Sequence, residues 1–298
     1  MISPELSNMD TESLVSAIQV MRQREQAYVP SDYLHRQPYN YGSESVDITC
    51  RLKMCNWCIQ MVNHCQFSHE TVVITMNLLD RFLSKRPHTL LDRTAYQLTA
   101  IACFYTTIKV HEPQAITPQT MANLSRGQYT AKQIEATERE ILSCLGWLVH
   151  PPTALTFSHY LLSLIPCMDE QTSNTLLELT KLQTELAVQN YDLCLWNQSL
   201  VAFAAVMNAL ESMSLTTPEQ QSELVAMLSK AAKIDSQSKL VNEIRIYLYQ
   251  GLLEDNVELP KPVCAHTNPA TMCGSEMRHI IRPTSPRSVQ NNKTMNCR

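Results

Sequence analysis

Apolar residues recur every three to four positions through most of the chain between residues 10 and 253. Val72, Met76 and Leu79, for example, fall on one face of a single helix. The strict alternation of apolar and polar residues that marks a strand is scarce. Prolines and the segment HPPT at 150–153 interrupt the pattern and mark the ends of helices. The sequence therefore predicts an all-α protein.

The predicted helices fall into two similar series, separated at HPPT. They are expected near 11–26, 46–65, 68–85, 90–110, 117–125 and 130–146, and then near 153–165, 171–189, 197–212, 217–231 and 236–252. Each series contains one segment that is apolar nearly all round, from Leu98 to Lys109 and from Leu200 to Leu210. A helix without a polar face lies at the centre of a bundle. We therefore predict two tandem five-helix bundles.

The same pattern sets the expected domains: an N-terminal extension with one helix at 1–45, a first bundle at 46–150 and a second at 151–257. From residue 258 to residue 298 the chain is polar and has no periodicity, so we expect a disordered tail there. The tail contains Ser285 followed by proline, a minimal site for a proline-directed kinase.

Composition narrows the classes of function. The net charge of −4 gives no basic excess of the kind that binds nucleic acid, and five glycines are too few for phosphate-binding loops. The eleven cysteines are odd in number and scattered, which favours free thiols in a reducing compartment. No apolar run approaches the roughly 20 residues of a membrane-spanning helix, and no signal peptide is visible. We expect a soluble intracellular protein whose partners include neither nucleic acid nor membrane.

Candidate catalytic and metal sites are weak. The residues closest to metal-ligand spacing are Cys55, Cys58, His64 and Cys65. Cys55 and Cys58 lie one turn apart within an amphipathic helix, whereas a zinc knuckle usually needs a tight turn, so we expect core packing and no metal. His111 and Glu112 adjoin a proline at a helix end, where capping or solvated roles are common. We predict no catalytic residue and no cofactor.

Five segments, in a consistent order and spacing, resemble the cyclin family. CRLKMCNWCIQMV (50–62), ETVVITMNLLDRFLS (70–84), YQLTAIACFYTTIKVHE (96–112) and YTAKQIEATEREILSCLGW (129–147) resemble the first, second, third and fifth helices of the cyclin box, and HPPTALTFSHYLL (150–162) is similar to the segment that leads into the second cyclin fold. The resemblance implies a subunit that binds and activates a cyclin-dependent serine/threonine kinase, without chemistry of its own. It looks nearest to the cell-cycle branch, in particular the G1 or D-type members, and implies a nuclear and/or cytoplasmic location.

The resemblance also implies roles for individual residues. Arg51 is expected to pair with Asp80 and fix the crossing of two helices, although Asp80 and Arg81 could instead both be solvated at a helix end. Lys109 and Glu138 are expected to grip the kinase backbone. The apolar residues around them are Val110, Leu142, Trp147 and Val149. The alternative is that Lys109 and Glu138 simply pair with each other on the surface.

A substrate-docking patch is also implied, at Met54, Trp57, Gln60 and Gln97. Lys53 stands where the family usually has an aliphatic residue, and Gln60 where an acid is expected. A lysine there repels the arginine of an Arg-x-Leu substrate motif, so this mode of recruiting kinase substrates is not favoured.

Two alternatives to a kinase-binding subunit stay open. A transcription factor built on the same repeat would show a basic face and a zinc ribbon, and a helical adaptor would lack the kinase surface.

Overall fold

The computed structural model describes residue 6 and residues 9–35, 45–166, 169–213 and 217–254. Within these ranges the chain forms twelve α-helices and no strand, which confirms the predicted all-α class. The predicted tail at 258–298, including Ser285, lies outside the described residues. No described helix combines the length and the apolar character needed to cross a lipid bilayer.

The first bundle is built around one central helix. Its helices are α2 (Ile48–Cys65), α3 (Glu70–Lys85), α4 (Arg93–His111), α5 (Pro118–Leu124) and α6 (Ala131–Cys144), and α1 (Thr11–Glu25) precedes them. Every residue of α4 from Thr99 to Ile108 is buried, as its nearly continuous apolar sequence predicts. The side chains of Asp47, Asp92 and Thr130 cap the N-termini of α2, α4 and α6, respectively.

The second bundle repeats this plan. It contains α7 (Ala154–Ser163), α8 (Glu170–Ala187), the short α9 (Tyr191–Cys194), α10 (Gln198–Met213), α11 (Pro218–Ala232) and α12 (Lys239–Glu254). The central helix is α10, which is buried without interruption from Val201 to Leu210. The bounds of all eleven predicted helices differ from the observed ones by no more than three residues, whereas α9 was not predicted.

Helix α1 packs on the second bundle although it precedes the first. Leu14 and Ile18 are buried in the core of the second bundle. Glu25, at the end of α1, accepts hydrogen bonds from the backbone N–H of Ser199 (2.9 Å) and from its hydroxyl (2.6 Å). Burial raises the pKa of Glu25, and the hydrogen bonds from Ser199 oppose that shift. The carboxylate thus caps the start of α10 and ties α1 to it.

Candidate functional site

The candidate site lies where α4 ends beside α6. Lys109 emerges from the last turn of α4, and its Nζ donates to Oε1 (3.0 Å) and Oε2 (3.1 Å) of Glu138 on α6. The Lys109 ammonium also lies 4.9 Å from the centre of the Tyr105 ring. The hydroxyl of Thr106 donates to Glu138 at 3.4 Å. The structure therefore brings the two predicted charged residues together, in the mutual pair that the sequence left as an alternative.

This ion pair is open to solvent on one side. The Lys109 side chain is 40% exposed, whereas that of Glu138 is 9% exposed. Burial disfavours the Lys109 ammonium, but the hydrogen bond and the charge of Glu138 outweigh it and raise the pKa of Lys109. The lysine stays charged at neutral pH. Because one member is accessible, an incoming acceptor can reach the ammonium without unfolding the bundle.

Trp147 follows α6, the helix that carries Glu138, and 72% of its surface is exposed. Helix α6 ends in a Schellman motif, in which the N–H of Trp147 bonds to Leu142 O at 3.0 Å and the N–H of Gly146 to Ser143 O at 3.2 Å. Gly146 adopts the expected left-handed conformation (φ 60°), but Trp147 does so as well (φ 61°). A bulky residue with positive φ is rare and energetically unfavourable, and such residues cluster at functional sites.

Arg81 holds the segment that carries Trp147. Its Nη1 donates to Leu148 O at 2.8 Å, and its guanidinium lies 4.6 Å from the centre of the Tyr28 ring. Burial lowers the pKa of Arg81. The arginine is almost fully buried, so its role is to fix the chain after α6 and not to meet solvent.

The predicted apolar surroundings divide into two groups. Val110 and Trp147 are exposed, while Leu142 and Val149 are largely buried and belong to the core of the first bundle. His111 ties the end of α4 to this segment, because its Nε2 lies 3.0 Å from Val149 O. Leu148 is exposed next to Trp147 and was not singled out from the sequence. The accessible apolar surface therefore consists of Val110, Trp147 and Leu148.

Arg51 and Asp80 form a second ion pair, deep in the molecule. Arg51 Nε donates to Asp80 Oδ1 at 2.9 Å and its Nη2 to Oδ2 at 2.8 Å, and both side chains are 1% exposed. Further partners come from other parts of the fold, among them Cys194 Sγ, which lies 2.9 Å from Arg51 Nη2. Arg51 Nη1 donates to Val188 O (3.0 Å), after α8, and the hydroxyl of Tyr33 donates to Asp80 Oδ1 (2.6 Å). The pair thus joins α2, α3, the N-terminal segment and the second bundle.

The predicted substrate-docking residues present little apolar surface. Met54 is buried, and Trp57 is half-buried with its ring edge-to-face on Phe104 at 5.4 Å. Gln60 is exposed. The amide oxygen of Gln97 accepts from Gln128 Nε2 at 3.2 Å. Lys53 is exposed on α2, where it adds a positive charge to this face.

The residues considered for metal binding or catalysis are buried in the core or lie near helix ends. Cys55 and Cys58 are fully buried, and burial raises the pKa of the Cys55 thiol to about 12, whereas His64 is exposed and Cys65 half-buried. Glu112 accepts from the N–H of Ser68 at 2.9 Å, just before α3 begins. Among the described residues, no three His, Cys, Asp or Glu side chains converge as metal ligands would.

Comparison with known proteins agrees with this architecture. Residues 16–150 match the family described as cyclin, N-terminal domain. Cyclin-B1-1 of Arabidopsis thaliana is 27% identical over 218 residues, which cover 70% of this chain and 47% of the relative. Cyclin-D3-3 of the same plant is 29% identical over 116 residues, covering 39% of this chain and 32% of the relative. The chain thus spans about half or less of the length of these relatives.

A solved structure extends the likeness through both bundles. The X-ray structure of a viral cyclin from herpesvirus saimiri has a TM-score of 0.56 and 15% sequence identity, and the match covers 80% of this chain and 99% of the viral chain. At that identity the likeness concerns the fold. B-type and D-type cyclins are both among the relatives, so the comparison does not single out the D-type branch.

Proposed function

We propose that this chain, whose residues 16–150 match the cyclin N-terminal domain, is a cyclin: a regulatory subunit that binds and activates a cyclin-dependent serine/threonine kinase and so controls cell-cycle progression. The protein itself performs no chemistry in this proposal. The kinase carries out phosphoryl transfer, and the protein acts in the nucleus and/or the cytoplasm. The observation that carries the proposal is the Lys109–Glu138 pair, whose lysine is 40% exposed. The exposed Trp147, which follows the helix that carries Glu138, supports it.

The exposed tryptophan supports a partner surface for an energetic reason. An indole that is 72% exposed contributes little to the core, and its positive φ costs free energy in the isolated chain. Tryptophan is enriched among the residues that carry most of the energy of protein interfaces. A partner that covers Trp147, Leu148 and Val110 removes this apolar surface from water. The binding energy of the complex then offsets the local strain.

The Lys109–Glu138 pair supplies specificity for the unpaired backbone groups at the end of a partner helix. A kinase of this class becomes active when its mobile regulatory helix places a glutamate against the catalytic lysine. In our proposal Lys109 and Glu138 exchange part of their mutual contact for backbone groups at the base of that helix. Only the active placement of the helix satisfies the charged and apolar groups together. Binding therefore shifts the kinase population toward its active state.

The test begins with identification of the kinase, by affinity capture from native lysate and mass spectrometry. Lys109→Ala and Glu138→Ala, singly and together, are then titrated against the purified kinase, with phosphorylation of a generic substrate as the readout. Each truncation leaves partner groups unpaired at a desolvated interface, at a cost of about 2 to 5 kcal/mol. That cost corresponds to roughly a 30-fold to several-thousand-fold loss of affinity.

The matched control is Lys53→Ala, which removes an exposed lysine from the face of α2. We expect this variant to bind and activate the kinase as the unchanged protein does. Circular dichroism establishes that every variant is folded before binding is measured. Normal activation by a folded Lys109→Ala, Glu138→Ala double variant would contradict the proposed mechanism.

A further inference from the structure

The second bundle has an open groove that plays no part in the proposed kinase contact. It has a volume of ≈ 430 Å³ and lies between the chain after α9 and one face of α12. Its lining includes Asp192, Leu195, Trp196, Glu243, Ile244 and Tyr247. Two aromatic rings and two carboxylates therefore border the same groove.

The aromatic residues are presented to solvent by buried anchors. Asn190 caps α9, because its side-chain oxygen accepts from the N–H of Asp192 at 2.9 Å. Leu193 is buried, and the N–H of Trp196 bonds to Leu193 O at 3.4 Å, which leaves Trp196 40% exposed. On α12, Ile244 is buried and the Tyr247 side chain is 44% exposed. The rings thus stand on well-packed elements.

The carboxylates of the groove have only weak partners within the chain. Asp192 and Glu243 are both half-exposed. His35 Nε2 lies 3.6 Å from Asp192, and the highly exposed Lys239 lies 3.4 Å from Glu243 one turn away on the same helix. Exposed pairs of this kind contribute little and exchange readily. Both carboxylates are therefore available to a cation from outside.

We propose that this groove binds an arginine side chain from an extended segment of a protein partner. A guanidinium stacks on the faces of tryptophan and tyrosine, and its planar donors match a carboxylate. The acidic and aromatic lining is complementary to that group and repels an acidic peptide. Arginine fits an aromatic and acidic lining better than lysine does, because the compact ammonium of lysine cannot stack flat on a ring or form a bidentate hydrogen bond with a carboxylate.

The rest of the segment carries aliphatic residues. Tyr247 also lines an adjoining groove of ≈ 330 Å³, whose walls combine Leu52 and Leu186 with Gln189 and Gln250. A chain that leaves the aromatic groove past Tyr247 therefore meets the half-buried side chains of Leu52 and Leu186 beside polar groups. The predicted ligand is a segment in which arginine and aliphatic residues are neighbours. Binding at this place does not rest on the kinase proposal, because it is measured without a kinase.

The experiment uses the full chain and a fluorescein-labelled peptide of sequence GARIIARG, followed by fluorescence anisotropy. The comparison peptides are GAKIIAKG and GAEIIAEG. We expect the arginine peptide to bind more tightly than the lysine peptide, and the glutamate peptide to show no saturable binding. Trp196→Ala and Glu243→Gln should each weaken binding of the arginine peptide by about 3- to 30-fold.

The control variants remove similar groups from the first bundle. Leu91→Ala takes away an exposed apolar side chain, and Glu140→Gln an exposed carboxylate, and both should leave the affinity unchanged. If Trp196→Ala fails to fold, Glu243→Gln and Tyr247→Ser decide the outcome, because both residues are exposed. The proposal is overturned if the unchanged protein does not bind the arginine peptide. It is equally overturned if the groove variants bind as the controls do.

Discussion

The first bundle contains two ion pairs that join neighbouring helices, and the fold surrounds them differently. Arg51 and Asp80 are 1% exposed and are also bonded to Val188 and Tyr33. Lys109 and Glu138 form a pair that is nearly as short, at 3.0 Å against 2.8 Å, yet the lysine is 40% exposed. The first pair therefore has its partners within the chain, whereas the second keeps a side from which another protein can approach.

The difference teaches that the distance between two charges does not reveal their role. A buried ion pair adds little net stability, because desolvation offsets the attraction, but each charge depends on the other once both are buried. An accessible pair can lose one contact and gain water or a partner in exchange. Arg51 and Asp80 are thus enclosed by the fold, whereas Lys109 and Glu138 keep the accessible side that our proposal assigns to recognition.

The largest expected effect comes from breaking the buried pair. Arg51→Ala leaves the Asp80 carboxylate buried without its main partner, so we expect the free energy of unfolding to fall by about 3 to 5 kcal/mol. Urea denaturation followed by circular dichroism measures the change.

The control for that prediction is the double variant Arg51→Met, Asp80→Leu, which replaces both charges by apolar side chains. Because neither variant residue carries a charge, the double variant should unfold at a higher urea concentration than Arg51→Ala does. A loss of less than about 1 kcal/mol in Arg51→Ala would show that the buried pair is not needed for the fold.

A smaller effect is expected at Tyr33, whose hydroxyl donates to Asp80 Oδ1 at 2.6 Å. Tyr33→Phe removes one donor but leaves both hydrogen bonds from Arg51, so we expect a loss of about 1 to 2 kcal/mol. The same urea titration measures the loss, and Tyr247→Phe, which removes the hydroxyl of an exposed tyrosine, is the control. An effect equal to that of Arg51→Ala would mean that Tyr33 and Arg51 are equally important to Asp80.

The helical plan could be predicted from the sequence because it depends on local periodicity. The central helices α4 and α10 are apolar on all faces, and this is visible in the residues themselves. The four residues of α9 are too few to show any period, so neither this helix nor the exposure of Trp196 after it could be predicted. Short connections depend on tertiary contacts that no local pattern records.

The candidate site was predictable in part. Lys109, Glu138 and Trp147 were identified from the resemblance to a family. Periodicity alone would have placed Lys109 and Trp147 near helix ends and Glu138 in the middle of a helix. The sequence could not show that the carbonyl of Val188, 137 residues from Arg51, accepts a hydrogen bond from the buried arginine. It also could not show that Leu142 and Val149 turn mainly into the core. Both depend on how distant segments pack.

The smallest expected effect on stability comes from Lys109→Ala. Truncation removes a half-exposed side chain and opens the Glu138 carboxylate to water, so we expect the free energy of unfolding at neutral pH to fall by about 1 kcal/mol or less.

The pKa of Lys109 is raised above its ordinary value of 10.5, so the folded state binds this proton more tightly than the unfolded state. The contribution of Lys109 is therefore complete below pH 10.5 and is lost as pH rises through the raised pKa. Urea titrations of the unchanged protein and of Lys109→Ala at neutral pH and above pH 10.5 measure this, with Lys53→Ala as the control. A loss as large as that of Arg51→Ala would place Lys109 among the residues that hold the fold and remove the contrast between the two pairs.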